Sequence, residues 1–326
     1  MGPEKCARCG KCLSVCPTFQ TSRRETFSPR GRVALHQAGL LRGQALSFCL
    51  LCGSCEAVCP NQVPVVELVL AAREAHPLTG ADLVTGAWEA VLRLGPRFRE
   101  REELPERGNP VVFLGCGGDF LYPQAVEALV GFLRKKGFSP ALPRDQGCCG
   151  LFALSLGARS SFLRQARRNL SALAEAEVVI TPCASCLYTL KVLYPRYLRG
   201  SKWAQLADQV AQKTFEASSF LFFQGFVRKY HYFLFQVPCH LRYISSMKWW
   251  YQTKFVIHEG CCGGGGLFGI RFPKESQKIL RSLHQTLERQ RVHELVTACT
   301  SCWLTLKRHF RLPVKMLCEA LSVVYC

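Results

Sequence analysis

Two runs of cysteine carry the most specific chemistry in this chain: Cys6, Cys9, Cys12 and Cys16 before Pro17, and Cys49, Cys52, Cys55 and Cys59 before Pro60. In each run two residues separate the first three cysteines, and three residues separate the third from the fourth. Two intervening residues let a tight loop wrap one face of an iron–sulfide cube, and thiolate is the soft ligand such a core takes. A zinc ion uses only four ligands, so eight cysteines in two identical runs fit two cubes better.

Ten further cysteines form two sets of one pattern. Cys116, the vicinal pair Cys148-Cys149 and Cys183-x-x-Cys186 make the first; Cys239, Cys261-Cys262 and Cys299-x-x-Cys302 make the second. The arms hold 31 and 33 residues in the first set and 21 and 36 in the second. Adjacent cysteines cannot easily chelate one ion with good tetrahedral angles, so five thiols with a vicinal pair point to a polynuclear site. Zinc in one of the sets is the lesser alternative, because C-x-x-C alone is also a zinc motif. Gly263 to Gly266 is not followed by Gly-Lys-Ser/Thr, which argues against a phosphate loop. His240 and His258 read as hydrogen-bonded structural histidines. Cys318 and Cys326 lie outside both sets and read as a buried and a terminal thiol.

The leading runs resemble the bacterial two-cluster ferredoxin pattern, in which three cysteines of a run hold one [4Fe-4S] cube and the fourth reaches the other. That resemblance implies Cys6, Cys9, Cys12 and Cys59 on one cube, and Cys49, Cys52, Cys55 and Cys16 on the second. Gln146-Gly147-Cys148-Cys149-Gly150, Pro238-Cys239-His240-Leu241 and Cys261-Cys262-Gly263-Gly264-Gly265-Gly266 resemble the CCG cysteine-rich domain of heterodisulfide reductase and of 2-hydroxyacid oxidase iron-sulfur subunits. With Ser28-Pro29-Arg30-Gly31-Arg32 and the ferredoxin runs in front, nearly the whole chain is similar to the iron-sulfur subunit of glycolate oxidase and D-lactate dehydrogenase complexes.

The resemblance implies one or two additional iron-sulfur clusters in the CCG repeats, which in heterodisulfide reductase are non-cubane assemblies with five cysteine ligands. It also implies an oxidoreductase role: relaying electrons between a flavin-containing dehydrogenase subunit and a quinone or membrane-surface acceptor. No flavin or nicotinamide fingerprint is visible in the chain, which agrees with a hydride-handling partner. Disulfide reduction at a CCG-bound cluster is the alternative, because both C-x-x-C pairs are intact here whereas glycolate oxidase subunits can lack them.

Helices and strands must present these thiols. The expected fold is an α-helical two-[4Fe-4S] ferredoxin domain over 1–96, a linker over 97–110, and two parallel-sheet, Rossmann-like α/β repeats. The repeats are expected over 111–200 and 231–326, with a connecting helical segment over 201–230. Helices are expected over Val63–Ala75, Ala81–Leu94, Pro123–Lys136, Ser160–Ala174 and Lys274–Arg291, with Cys183 opening another and Cys299 the last. Strands over Val111–Leu114, Val178–Ile180, His231–Val237, Lys254–His258 and Leu295–Thr297 put the cysteines at strand C-terminal ends, where α/β sheets form their crevices. Ser28 to Val33 reads as a turn followed by apolar residues at helical spacing through Leu41, either a solvated basic turn or one with a role near the clusters.

Length and composition bound the rest. The 326 residues suffice for two or more domains, and a 48% hydrophobic content is that of a globular protein. Twenty cysteines without an apolar leader suggest reduced, metal-occupied thiols and a cytoplasmic location, peripheral attachment to the inner membrane face being the variant. The formal charge of +19 is partly offset if each oxidised cube with its thiolates carries about −2. The remainder suits an acidic partner rather than a nucleic acid, since no long run of like charge marks a groove.

Overall fold

A computed structural model of the chain describes residues 2–77, 84, 88, 98, 104–227, 233–244 and 248–323. The leading segment is short helices separated by cysteine loops: Pro17–Ser22, Pro29–Gln37, Gly43–Ser47, Ser54–Ala57 and Val65–Ala75. Its core includes Val33, Leu46, Val66, Val69 and Leu70, all nearly solvent-free. The expected helix at 81–94 lies outside the described residues apart from Val84 and Trp88.

The turn expected at Ser28 leads into the helix Pro29–Gln37, in line with the apolar spacing that follows it, but Arg32 is buried rather than solvated. The Ser28 hydroxyl accepts from the Gly31 amide, the N-cap geometry that satisfies an orphan donor. Pro29 occupies the first turn, where its missing N–H costs nothing. The helix turns Arg32 inward, where its guanidinium donates to the carbonyls of Phe27, Ala45 and Phe48.

Two parallel sheets follow. The first has β1 (Val111–Val112), β2 (Val179–Thr181) and β3 (Thr214–Glu216) in the order β1-β2-β3, with Val111 paired to Val179 and Val179 to Thr214. A parallel bridge from Val111 to Ala141 extends it beyond β1. The second has β4 (Leu234–Gln236), β5 (Val256–His258), β6 (Leu295–Thr297) and β7 (Val314–Met316) in the order β5-β4-β6-β7. Ala141 stands to the first sheet as β5 does to the second, so both share one strand order. Strands this short and apolar are stable because helices cover the sheets.

β3 and β7 are strands that the expected element order lacks. The segment 201–230 is not merely helical, because β3 lies within it and completes the first sheet. The helix Thr300–His309 opened by Cys299 is not the last, because β7 and the helix Leu317–Val323 follow. Thr214-Phe215-Glu216 and Val314-Lys315-Met316 carry a polar residue in three positions, and such short runs give no periodic signal. The helix expected over 274–291 is two, Pro273–Ile279 and Arg281–Gln290, parted at buried Leu280. The other expected elements are present with ends shifted by a few residues.

Each sheet's last helix packs on the other half of the molecule. Leu317–Val323 lies against Pro123–Lys135, with the Cys318 thiol 4.0 Å from the Ala125 carbonyl. Ala217–Phe223 reaches the second half, where the Trp249 indole N–H donates to Ser219 Oγ at 2.9 Å and Phe222 stacks on Trp249. This exchange holds the two sheets together.

His258, at the end of β5, is 9% exposed. Its Nδ1 meets Thr286 Oγ1 at 3.2 Å, whereas Nε2 is buried without a partner. Burial, with Arg242 nearby, holds its pKa down at about 4. The unfolded chain takes up a proton near pH 6.5 that the native ring refuses until about pH 4. The stabilisation from neutral His258 is therefore full above pH 6.5 and lost as the pH falls towards 4. Urea unfolding at about pH 7.5 and about pH 5 should show a loss of about 2 kcal/mol that His258→Gln abolishes.

Candidate metal centres

Backbone shape prepares the two leading runs for a bulky anionic core. Arg8 and Leu51, each before the second cysteine of its run, have φ of 54° and 55°, and Gly10 and Gly53 just after it have φ of 82° and 74°. Left-handed residues turn successive N–H groups into a concavity that favours anions. Glycine takes that conformation freely, while Arg8 and Leu51 hold it at a cost of about 1 kcal/mol each.

The eight cysteines gather in two adjoining cavities. Cys6, Cys9, Cys12 and Cys59 line one; Cys16, Cys49 and Cys52 line the next; and Cys55 lines both. Thr18 and Ser54 stand 3.2 and 3.3 Å from the sulfurs of Cys16 and Cys52, and the Val63 amide donates to Cys59 at 3.5 Å. Such hydrogen bonds tune sulfur ligands.

Arg32 and Arg73 supply a test of what these thiols would hold. Arg32 is 2% exposed and lines the Cys16–Cys49 cavity. Arg73 is fully buried and donates to the carbonyls of Ser155, Leu46 and Cys49 at 2.8, 3.0 and 2.8 Å. Among the described residues neither guanidinium meets a carboxylate, and Arg73 Nε has no partner at all. Burial lowers the Arg73 pKa to about 10. A buried cation without a counter-charge is costly. A core carrying about −2 with its thiolates would compensate both arginines, so the surroundings fit such a group.

In the α/β half, the vicinal pairs sit on loops clamped by buried polar side chains. Gln146 accepts from the Leu114 amide and donates to the Val112 carbonyl, tying the loop to β1. Asn169 accepts from Gly147 N and donates to the Cys148 carbonyl at 2.8 Å, while Tyr194 OH donates to the Cys149 carbonyl at 2.9 Å. Gln236 does similar work in the second sheet, bonding the Gly260 carbonyl and Thr297. Sequence reasoning missed Gln146, Asn169, Tyr194 and Gln236. Their only signal was polarity at positions otherwise suited to a core.

Nine of the ten sulfurs in these two sets follow one another as neighbours in one succession: Cys116, Cys148, Cys149, Cys186, Cys183, Cys299, Cys302, Cys262 and Cys261. Its middle is the contact of Cys183 with Cys299, where the two halves meet. The Thr300 amide and hydroxyl donate to Cys183 at 3.3 and 3.1 Å, and Ser185 Oγ lies 3.1 Å from Cys299. Each C-x-x-C turn thus sends a hydroxyl to the other half's cysteine. Cys239 lines the cavity of Cys261, Cys262, Cys299 and Cys302, so all five cysteines of the second set face one space. All five of the first set line a larger cavity of about 390 Å³. Among the described residues no three His, Cys, Asp or Glu donors are placed to hold a single ion.

Protonation in the absence of metal varies along these thiols. Burial pushes Cys52 up to about 11. A shared hydrogen with Cys148, with burial added, pushes Cys149 up to about 12. Cys299, hydrogen-bonded by Cys183 and then Cys302, is held well below the ordinary thiol range. Both nitrogens of His240 are bonded, Nε2 to the Leu51 carbonyl and Nδ1 to Ser185 Oγ, each at 3.1 Å. A carbonyl only accepts, so Nε2 carries a hydrogen. His240 also stacks on Tyr188 with centroids 4.5 Å apart.

The four cavities share walls. Cys55 belongs to the first and second, Cys52 to the second and third, Ser185, His240, Gly265 and Ser301 to the third and fourth, and Leu50 to the second, third and fourth. The glycine run at 263–266 makes the junction close: a Cβ on Gly265 would collide with the Leu50 carbonyl oxygen. The fourth cavity is walled by Leu121, Leu151, Phe152, Leu267 and Leu304, with Arg308 among its polar residues.

Comparison with known proteins agrees with this architecture. Residues 2–63 match the 4Fe-4S dicluster domain, and residues 111–191 and 251–307 match the cysteine-rich domain, CCG. The chain thus joins a 4Fe-4S dicluster domain to CCG domains, and it is homologous to glycolate oxidase iron-sulfur subunits and lactate utilization proteins. It is 25% identical to the probable glycolate oxidase iron-sulfur subunit of Bacillus subtilis, over 93% of this chain and 88% of that one. It is 26% identical to one subunit of the fumarate reductase (CoM/CoB) of Methanothermobacter marburgensis, over 93% and 67%. Lactate utilization protein A of Bacillus pumilus is 26% identical over 60% of this chain and 89% of its own length.

Proposed function

We propose that the chain is the iron-sulfur electron-transfer subunit of a flavin-dependent 2-hydroxyacid dehydrogenase complex, acting on glycolate or lactate. The observation that carries the reading is the row of four cysteine-lined cavities with shared walls. Cys6, Cys9, Cys12 and Cys59 would hold one [4Fe-4S] cube; Cys49, Cys52, Cys55 and Cys16 would hold the second. Cys116, Cys148, Cys149, Cys183 and Cys186 would hold a third cluster, and Cys239, Cys261, Cys262, Cys299 and Cys302 a fourth. When bound, such groups supply one-electron transfer at potentials set by charge, hydrogen bonds and exposure. The chain's own residues bind them through thiolates, offset their charge through Arg32 and Arg73, and donate hydrogen bonds from Thr300 and backbone amides. Polynuclear centres are favoured over zinc because each set brings five thiols, a vicinal pair among them, to one cavity, whereas a zinc ion takes four ligands.

The cavity of about 390 Å³ at the first CCG set suits the acceptor, with apolar walls for a quinone ring. A second reading, disulfide reduction at this cavity, is favoured by the intact Cys183 and Cys186 on its wall. No described helix is long and apolar enough to cross a membrane. Reduced thiols suit the cytoplasm, with the partner or a peripheral contact giving access to a membrane acceptor.

Anaerobic purification of the native complex tests the reading. Four clusters predict roughly sixteen iron atoms per chain and two cubes roughly eight. A flavoprotein should co-purify, and a stable complex without one would overturn the assignment. Turnover of low-molecular-weight disulfides by reduced viologen, without activity towards 2-hydroxyacids, would favour the second reading.

A further inference from the structure

The four cavities form a row with two ends, and only one ends at an apolar chamber. The other, lined by Cys6, Cys9, Cys12 and Cys59, touches no residue of the α/β half. Among the described cysteines Cys9 alone is exposed. Exposed Arg8 and Lys11 flank it, exposed Lys5 precedes Cys6, and Arg30 lines the same cavity while donating to the Arg8 carbonyl at 3.3 Å. Glu25 neutralises Arg30 through a 2.6 Å ion pair, and no described carboxylate pairs with Arg8 or Lys11. The left-handed turn at Arg8 fixes the loop that carries Cys9 at the surface.

Resting on the electron-transfer reading, we propose that Cys9 marks the port where the redox partner exchanges electrons, and that Lys5, Arg8 and Lys11 dock a carboxylate-rich face of that partner. Cys6, Cys9, Cys12 and Cys59 would hold the centre nearest this port, and that centre, when bound, would supply one-electron exchange with the partner's flavin as electron donor. Small-molecule exchange belongs to the other end, where the walls are apolar. A basic groove also runs past Cys261, lined by Arg242, Lys248, Lys278 and Arg281, but Cys261 is less exposed than Cys9 and Glu259 shares that groove.

Two probes of opposite charge locate the port. The dithionite-reduced holo-protein is reoxidised at low ionic strength by ferricyanide or by hexaammineruthenium(III). Arg8→Gln/Lys11→Gln should slow the anionic oxidant about tenfold and speed the cationic one, whereas Lys278→Gln/Arg281→Gln should change neither. The reverse pattern overturns the assignment. If the first pair loses iron, Lys5→Gln/Lys11→Gln takes its place. In the native complex, carbodiimide should cross-link Lys5 or Lys11 to partner carboxylates; links confined to Lys248 or Lys278 would also overturn it. Failure of dithionite to reduce the holo-protein would instead refute the electron-transfer reading on which it rests.

Discussion

Replacing Arg73 with methionine should destabilise the iron-loaded protein by about 3 kcal/mol or more, and the metal-free protein by distinctly less. In the loaded protein the substitution leaves an anionic centre buried beside three carbonyls that have lost their donor. Without iron, part of that loss is recovered, because a buried guanidinium lacking a carboxylate is itself unfavourable. Arg73→Lys keeps the charge but cannot span Ser155, Leu46 and Cys49 at once, so it should fall between the two. Urea unfolding of loaded and metal-free forms measures the difference. A redox titration followed by EPR gives an independent readout: a nearby cation favours the more negative, reduced state, so the centre at Cys16, Cys49, Cys52 and Cys55 should shift to a more negative potential in Arg73→Met. Equal destabilisation of both forms with an unmoved potential would reduce Arg73 to a packing residue.

Cys149→Ala and Cys262→Ala should each remove roughly four of about sixteen iron atoms while leaving the ferredoxin signals intact. Both sulfurs sit inside the cysteine row with a neighbour on either side, Cys148 and Cys186 for Cys149, Cys261 and Cys302 for Cys262. Cys318→Ala is the control: Cys318 is just as buried but packs between helices away from every cysteine set, so iron content should not change. Iron and sulfide analysis with EPR decides which sets are loaded. A Cys149→Ala protein with wild-type iron content would show that the first five-cysteine set carries no cluster.

Much of the site can be read from spacing because a ligand loop is a local object. The C-x-x-C-x-x-C runs, the vicinal pairs beside glycine and the placement of cysteines after strands all lie within a few residues of chain, and the parallel sheets follow from apolar runs alternating with amphipathic helices. Short-range pattern fails where stability comes from partners distant in sequence. β3 and β7 are three residues each and exist because a neighbouring strand and a covering helix accept them. Arg32 reads as a surface residue and is buried, since its environment is assembled from carbonyls 5, 13 and 16 residues away.

The two leading cysteine runs and the two CCG sets, with the chemistry of their donors, are determined by the sequence itself. Their order in space is a tertiary property. Close packing of the glycine run on Leu50, and the meeting of Cys183 with Cys299, bring the two CCG sets against each other and against the ferredoxin segment, whose Leu50 lines both of their cavities. No spacing encodes that order, because it depends on which surfaces of separately folded segments fit together.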